Sequence, residues 1–155
     1  MGELTLVAEN GAMTGVYFAR HRRRPDPAAF GRRDDTGFAE PIRQLAEYFA
    51  GERTEFDVPL APHGDAFDRR VWELLSAIPY GQTRTYADVA RQLGDASLAQ
   101  AVGAANGRNP LCVIVPCHRV VGSDGSLTGY AGGLDRKRFL LELEESPAVK
   151  SERLF

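Results

Sequence analysis

The chain changes character near Asp65, and this change limits the available folds more than any other feature. Before Asp65, short apolar runs within 2–8 and 15–19 flank Asn10-Gly11, a pattern that predicts a β-hairpin or the start of a β-meander. After it, apolar residues recur at the 3.6-residue period of helices. We therefore predict an α+β chain in two parts. The predicted parts are a small α/β domain over 1–62, a linker over 63–66, a mostly helical domain over 67–145 and a loose tail over 146–155.

The first part also predicts one helix and a further strand. Residues 38–49 have the pattern of an amphipathic helix. The side chains expected on its buried face are Ile42, Leu45, Ala46 and Phe49. A short alternating segment follows, which predicts a strand that prolines interrupt. Its apolar residues are Phe56, Val58 and Leu60.

The second part predicts four helices. Asp65 and Thr85 are suited to cap the first two, because their side chains accept hydrogen bonds from helix N-termini. The helices are expected after Asp65, at 86–93, at 98–106 and at 134–145. The second and third are joined by a tight turn at Gly94, which is typical of a helix-turn-helix.

The helix at 98–106 is rich in Ala and Gly and has two interpretations. Small side chains let a helix pack closely against its neighbours. They also let an exposed helix face approach a DNA groove without a clash, as a recognition helix does. The pattern alone favours close packing.

Charge is distributed unevenly along the chain. The net charge is -2, which predicts no general affinity for polyanions. Between Arg84 and Arg138, however, seven basic and four acidic residues give a local charge of +3, whose sign suits a nucleic-acid face. A basic cluster at 20–24 is interpreted as a solvated loop or, less commonly, as an auxiliary phosphate contact.

The cysteines and histidines are few. Two cysteines, Cys112 and Cys117, and three scattered histidines match neither a disulfide framework nor a metal-site pattern, so we predict no metal and no cofactor. No signal peptide or membrane-spanning run is visible, and we expect a cytoplasmic protein with reduced thiols.

The strongest chemical signal is the segment around Cys117. The apolar run Leu111–Val115 predicts one buried strand or strand-like segment, which Pro116 ends. A thiol held at the end of a rigid segment beside cationic groups has a lowered pKa and is a stronger nucleophile. Cys117 is therefore the candidate nucleophile, whereas Cys112, inside the apolar run, is expected to be a small buried hydrophobe.

The sequence Pro116-Cys117-His118-Arg119-Val120 resembles the active-site motif of the O6-alkylguanine-DNA alkyltransferase family. The resemblance extends from about Phe67 to Glu145. Other matching segments are Ile78-Pro79-Tyr80-Gly81, Thr85-Tyr86, Ala101-Val102-Gly103, Asn109-Pro110 and Gly129-Tyr130-Ala131-Gly132-Gly133. The resemblance implies an RNase H-like N-terminal α/β domain and a winged-helix-like DNA-binding domain with a helix-turn-helix.

The resemblance also implies an activity. In this family an alkyl group on O6 of guanine, and on O4 of thymine, moves irreversibly to the cysteine once the base has flipped out of the duplex, so each protein acts once. Cys117 is implied to be the acceptor, His118 its base through a water, and Glu144 the group that orients His118. Tyr86 is implied to donate to the guanine ring, and Lys137 to support proton movement.

The binding residues are implied in the same way. The residues expected at the base pocket, including the turn before it, are Asn109, Val120, Tyr130 and Ala131. The residues expected to contact DNA are Ala99, Gln100, Ala101, Gly103, Arg108 and Arg119. The implied partner is double-stranded DNA, bound by a monomer from the minor-groove side, with the protein associated with the nucleoid.

Three departures from the family pattern affect these expectations. Gln100 stands where an arginine is usual, which predicts weaker DNA binding or slower base extrusion. The N-terminal domain is expected to lack its usual first strand and so to leave an unpaired edge. The chain also has no Cys/His cluster for the zinc site that some relatives carry.

Three other functions are compatible with parts of this pattern. A non-catalytic lesion-binding protein of the alkyltransferase-like kind would normally replace the cysteine, which is present here. A transcription factor would need a sensor domain, and a cysteine hydrolase would need oxyanion donors and a substrate groove. The sequence indicates none of these additional features.

Overall fold

The computed structural model describes residues 2–19, 25–34 and 36–145. The strands are β1 (Leu4–Glu9), β2 (Ala12–Phe18), β3 (Arg84–Thr85) and β4 (Val120–Val121). The α-helices are α1 (Ala39–Phe49), α2 (Ala66–Ser76), α3 (Tyr86–Gln92), α4 (Ala99–Gly107) and α5 (Leu134–Leu143). Short 3-10 helices span Pro27–Phe30, Ala96–Leu98 and Cys117–Arg119. The basic cluster at 20–24 and the predicted tail lie outside the described residues.

The predicted hairpin is confirmed. Strands β1 and β2 pair antiparallel, with Leu4 opposite Phe18 and Glu9 opposite Ala12. Asn10 (φ 51°) and Gly11 (φ 82°) both adopt the left-handed conformation that a tight hairpin turn requires. The far edge of β2 also binds other segments, because Met13 N donates to Pro59 O (2.8 Å) and Val16 N donates to Pro110 O (2.8 Å). Strand β2 therefore connects the N-terminal part to the segment that leads to Cys117.

The predicted strand around Phe56–Leu60 is wrong. Only Leu60 makes a bridge, to Met13, and the neighbouring described residues are irregular. Pro59 has no N–H to donate, which limits ladder formation at this point. The two backbone bonds to Met13 hold the segment against β2 without extending the sheet.

Helix α1 is where expected, but its buried face differs from the prediction. Gln44, Leu45 and Tyr48 are buried, whereas Ile42 is 51% exposed. The Gln44 side chain is satisfied inside, because its amide donates to Asp57 O (3.0 Å) and its oxygen accepts from Asp57 N (2.8 Å). Polar side chains with internal partners thus occupy positions that the hydrophobic pattern assigned to solvent.

The helices of the second part begin at the predicted caps. Asp65 accepts from Asp68 N (2.8 Å), and Thr85 with Asp88 forms a reciprocal capping box. Helices α3 and α4 pack together around the turn at Gly94 (φ 97°) in the helix-turn-helix arrangement. The α+β class in two parts is confirmed.

Helix α5 buries an unexpected set of side chains. Its aromatic residue Phe139, which an apolar pattern places inside, is 44% exposed. The buried residues are Lys137 and Leu140, with Glu144 following at the C-cap. This face is buried because its two ionisable groups find partners near Cys117.

The predicted strand at Leu111–Val115 is a tight turn instead. Val115 N donates to Leu111 O (2.8 Å), which folds the chain back on itself. Val113 at its centre has φ 76°, a conformation that costs a β-branched residue on the order of 1–3 kcal/mol. All five residues are buried in one core that includes residues of both parts, such as Phe18, Tyr48, Trp72 and Leu140.

Within the described residues, no helix is long and apolar enough to cross a membrane.

Candidate active site

Cys117 begins a 3-10 helix directly after the turn, and its side chain is only 2% exposed. The Asn109 side chain stabilises the turn with two hydrogen bonds. Its amide nitrogen donates to Val115 O (2.9 Å), and its oxygen accepts from Leu111 N (2.9 Å). One side chain therefore closes both ends of the turn that leads to Cys117.

The sulfur of Cys117 has an environment that favours the thiolate. The Cys112 thiol hydrogen-bonds it and lowers its pKa, and the Asn109 amide and the Lys137 ammonium act in the same direction against the cost of burial. The same contact and burial raise the pKa of Cys112 well above its usual value, so Cys112 remains the protonated donor. Cys112 is fully buried, as predicted, but it is also a polar partner of the candidate nucleophile.

His118 and Glu144 form a buried pair beside Cys117. His118 Nε2 lies 2.7 Å from Glu144 Oε2, and both side chains are at most 2% exposed. Burial alone would raise the pKa of Glu144, but hydrogen bonds from His118 and Arg119 lower it to about 2. The carboxylate is therefore ionised at neutral pH and accepts the Nε2 proton.

The second nitrogen of His118 is available for chemistry. Among the described residues, Nδ1 has no hydrogen-bond partner although it is buried. Burial lowers the pKa of His118 despite the Glu144 carboxylate, so the ring is neutral at pH 7. A neutral ring that donates from Nε2 carries its lone pair on Nδ1, the atom that a base needs.

Lys137 and Tyr86 approach the same region from α5 and α3. Lys137 is fully buried, and its Nζ donates to Val120 O (2.7 Å) and Thr128 O (2.8 Å). Burial lowers its pKa to about 8. The Tyr86 hydroxyl pairs with Thr128 Oγ1 (2.8 Å), and burial raises the pKa of the phenol, which keeps it a donor.

The loop after β4 completes the surroundings of the sulfur. Tyr130 is 6% exposed. Burial is the main cause that raises the pKa of its phenol, and the charges of Cys112 and Cys117 raise it further. Gly132 packs so closely that a Cβ there would lie 2.5 Å from the Phe18 ring. Ala131, between them, is partly exposed. The loop is thus held against β2 with Tyr130 turned toward the two thiols.

Helix α4 presents small side chains to solvent beside this site. Gln100 and Ala101 are exposed, Ala99 is half-buried, and the inner face packs through Val102 and Ala105. Gly103 faces inward instead, since a Cβ there would lie 3.8 Å from the Tyr86 ring. The inner side of the helix is therefore closely packed, and its outer side exposes small residues. Each of the two interpretations of this helix describes one side of it.

Two arginines expected at the DNA have intramolecular partners. Arg119 is only 6% exposed: its Nε donates to Glu144 Oε1 (2.8 Å) and its Nη1 to Ile78 O (2.7 Å). It is thus a buried partner of Glu144 and not a surface phosphate contact. Arg108 is partly exposed, but its guanidinium pairs with Asp68 (2.6 Å), which offsets its charge.

Several polar residues around the site were missed by the sequence analysis. The Tyr48 hydroxyl donates to Glu144 Oε2 (2.5 Å), and Asn106 donates weakly to Cys117 O (3.4 Å). Thr128 was also unassigned, and Cys112 was predicted only as a small buried hydrophobe. The partners of these residues lie at least five positions away in sequence. The one available signal for them was a polar residue inside an amphipathic pattern. Among the described residues, no group of three or more potential ligands could hold a metal ion.

Comparison with known proteins agrees with this geometry. Two family models match: the DNA binding domain of 6-O-methylguanine DNA methyltransferase over residues 66–146, and its ribonuclease-like domain over 1–62. A methylated-DNA–protein-cysteine methyltransferase of Mycolicibacterium paratuberculosis is 46% identical over 155 residues, covering 100% of this chain and 93% of the relative.

Solved structures agree as well. The Mycobacterium tuberculosis OGT crystallised in complex with DNA superposes with a TM-score of 0.85 at 48% identity, covering 91% of this chain and 85% of that one. The O6-methylguanine methyltransferase of the same organism gives a TM-score of 0.84 at 48% identity, with 95% and 90% coverage. The chain belongs to the 6-O-methylguanine DNA methyltransferase family.

Proposed function

We propose that the chain repairs alkylated DNA directly, by moving the alkyl group from O6 of guanine to Sγ of Cys117. The thiolate attacks the alkyl carbon, an S–C bond forms, and the C–O bond breaks with its electrons passing to the guanine. The product is a thioether that none of the surrounding side chains can reverse, so one chain repairs one lesion. The observation that carries this proposal is the buried Cys117 thiol followed in the chain by a buried imidazole whose Nε2 lies 2.7 Å from the Glu144 carboxylate.

In this proposal His118 removes the thiol proton. Its Nε2 is committed to Glu144, which leaves Nδ1 as the accepting atom, reached from the sulfur through a water. Glu144 keeps the ring in the required tautomer and stabilises the imidazolium that forms. This division of roles agrees with the ionised carboxylate and the neutral ring.

Tyr86 is proposed to assist the leaving group. Its hydroxyl remains protonated and can turn from Thr128 toward the purine as negative charge develops there. A donor aimed at developing charge is typically worth about 3–4 kcal/mol in the transition state. Lys137 keeps a positive charge near Cys117 and so supports both the thiolate and the proton transfers.

Helix α4 is proposed to hold the duplex from the minor-groove side. The target atom lies inside the base stack, so the nucleotide must be extruded at a cost of a few kcal/mol. Exposed small residues let the helix approach closely, and Gln100 is the longest side chain on that face. Val120, Tyr130 and Ala131 then surround the flipped base.

The test is to incubate the protein with an oligonucleotide containing O6-methylguanine and to weigh the intact protein. We expect a gain of one CH2 unit in wild type and none in Cys117→Ala. Binding of the lesion without a gain of mass would favour the non-catalytic lesion-binding function. No binding and no gain would reject both.

A second experiment addresses the DNA-facing role of α4. Gln100→Arg adds a charged donor on the exposed face, so we expect faster repair of the duplex than in wild type and an unchanged rate on free O6-methylguanine. Equal acceleration on both substrates would contradict a role for Gln100 in opening the duplex.

A further inference from the structure

Tyr48 links the N-terminal part to the buried carboxylate. It lies on α1, is fully buried, and donates its hydroxyl proton to Glu144 Oε2 at 2.5 Å, across 96 positions of sequence. Burial raises the pKa of the phenol far above its usual value, and the negative charge of Glu144 raises it further. Tyr48 is therefore a hydrogen-bond donor at neutral pH.

The oxygen that accepts from Tyr48 is the one that binds His118. Glu144 Oε2 receives His118 Nε2 at 2.7 Å, Tyr48 Oη at 2.5 Å and Arg119 Nη2 at 3.0 Å. A carboxylate oxygen has two lone pairs, so these donors share its negative charge. A donor added to this oxygen weakens its attraction for the imidazole, and a donor removed strengthens it.

The Tyr48 ring is held in place by packing. It contacts Phe49 edge-on at 5.4 Å and Phe56 at 5.4 Å, and it meets Tyr80 in a T-shaped contact at 6.2 Å. Residues of both parts thus fix the direction of the hydroxyl. A side chain held by packing can set the position of a catalytic carboxylate with little loss of entropy when the reaction begins.

We infer that Tyr48 is a positioning residue for the proton transfer at Cys117: it holds the Glu144 carboxylate and limits how much of its charge reaches His118. This inference rests on the proposed function. It assigns to the N-terminal part a role in the chemistry, in addition to its structural one.

The groups around His118 give the expected direction. Glu144 faces it from the end of α5, Lys137 from the buried side of α5, and Arg119 follows it in the chain. Tyr48 donates directly to the Glu144 carboxylate, whereas the nearby Tyr80 hydroxyl donates to the backbone oxygen of Leu143. Removing the Tyr48 hydroxyl leaves more negative charge on the carboxylate to attract the His118 ring. The pKa of His118 therefore rises.

The experiment is single-turnover methyl transfer from an O6-methylguanine oligonucleotide across pH. In Tyr48→Phe we expect the acidic midpoint of the rate profile to rise by about half a unit to one unit, the effect of one hydrogen bond. Tyr80→Phe is the matched control, since its hydroxyl donates to the backbone oxygen of Leu143 (3.3 Å). Its midpoint should equal that of wild type.

A second variant tests the inference if Tyr48→Phe folds poorly. Fluorotyrosine introduced at position 48 is a stronger donor, so it should move the midpoint in the opposite direction, below wild type. If the role of Tyr48 is purely structural, both variants change stability but keep the wild-type midpoint of the rate profile. That result would overturn the inference. Failure of wild type to transfer the methyl group would instead reject the proposed function.

Discussion

The two parts of the chain use their interiors differently. Among the described residues and apart from tyrosines, the buried polar side chains of the first part are Thr14 and Gln44. Those of the second part are Asp68, Asn106, Asn109, His118, Arg119, Lys137 and Glu144. Burying an ionised group is costly unless it is paired. The second part concentrates this cost around Cys117, which is where a reaction that shifts protons needs ionisable groups shielded from water.

Ion pairs follow the same division. On α1, Arg43 pairs with Glu40 and Glu47 at the surface. In the second part, Arg119 pairs with Glu144 inside the core, where Glu144 is 1% exposed. Surface pairs contribute little to stability, whereas removing one member of a buried pair leaves an uncompensated charge. The comparison therefore predicts very different effects for the same kind of substitution in the two parts.

The largest expected effect is that of Glu144→Ala. This change leaves the buried Arg119 guanidinium with the Ile78 carbonyl and the Tyr80 ring but without its carboxylate partner, which should lower the free energy of unfolding by about 3–5 kcal/mol. Urea unfolding measures this loss. Glu40→Ala, which removes a surface partner of Arg43, is the control and should leave the midpoint unchanged. Similar losses in both variants would break the contrast between the two parts.

Asn109→Ala should be the next largest. It leaves Val115 O and Leu111 N without their buried partner, at a cost of about 2–4 kcal/mol for two unsatisfied groups. Asn109→Asp keeps the acceptor for Leu111 N but places a second carboxyl oxygen against Val115 O, so its unfolding midpoint should also lie below that of wild type. An Asn109→Ala midpoint equal to wild type would contradict the assigned role.

Acid should remove the contribution of Glu144. Its pKa is about 2 in the folded protein against an ordinary value of 4.5, so it stabilises the fold above pH 4.5 and loses that effect as the pH falls toward 2. The difference corresponds to about 3 kcal/mol. The gap in unfolding free energy between wild type and Glu144→Gln should narrow over this range. A gap that stays constant would show that the carboxylate is not selectively stabilised by folding.

The smallest expected effect is that of Cys112→Ala. Loss of the thiol donor raises the pKa of Cys117, and alkylation of Cys117 by iodoacetamide at pH 7 should slow about fivefold, the equivalent of one hydrogen bond of about 1 kcal/mol. Cys112→Ser keeps a donor and should retain most of the rate. Peptide mapping assigns the modified thiol. An unchanged rate in Cys112→Ala would remove Cys112 from the site.

Much of the fold was predictable because its signals are local. Asn10-Gly11 specifies the hairpin turn, Asp65 and Thr85 cap the helices that follow them, and Gly94 ends α3. The surroundings of Cys117 were partly predictable through the resemblance of its motif. These features depend on residues a few positions apart, which a single sequence displays.

The errors concern residues whose partners are distant. Tyr48 and Gln44 looked like solvent-facing residues because Glu144 and Asp57 lie 96 and 13 positions away. Arg119 looked like a DNA contact because its partner Glu144 lies 25 positions away. The apolar run before Pro116 forms a turn because a side chain, Asn109, supplies the hydrogen bonds that a neighbouring strand would otherwise provide.

The most direct test of the account is to locate the transferred group. The protein is incubated with excess oligonucleotide carrying an isotopically labelled O6-methyl group, and the peptide containing Cys112 and Cys117 is sequenced by tandem mass spectrometry. The account predicts one labelled methyl per chain, attached to Cys117, with Cys112 unmodified and no further turnover. A label on Cys112, or more than one repaired lesion per chain, would contradict it.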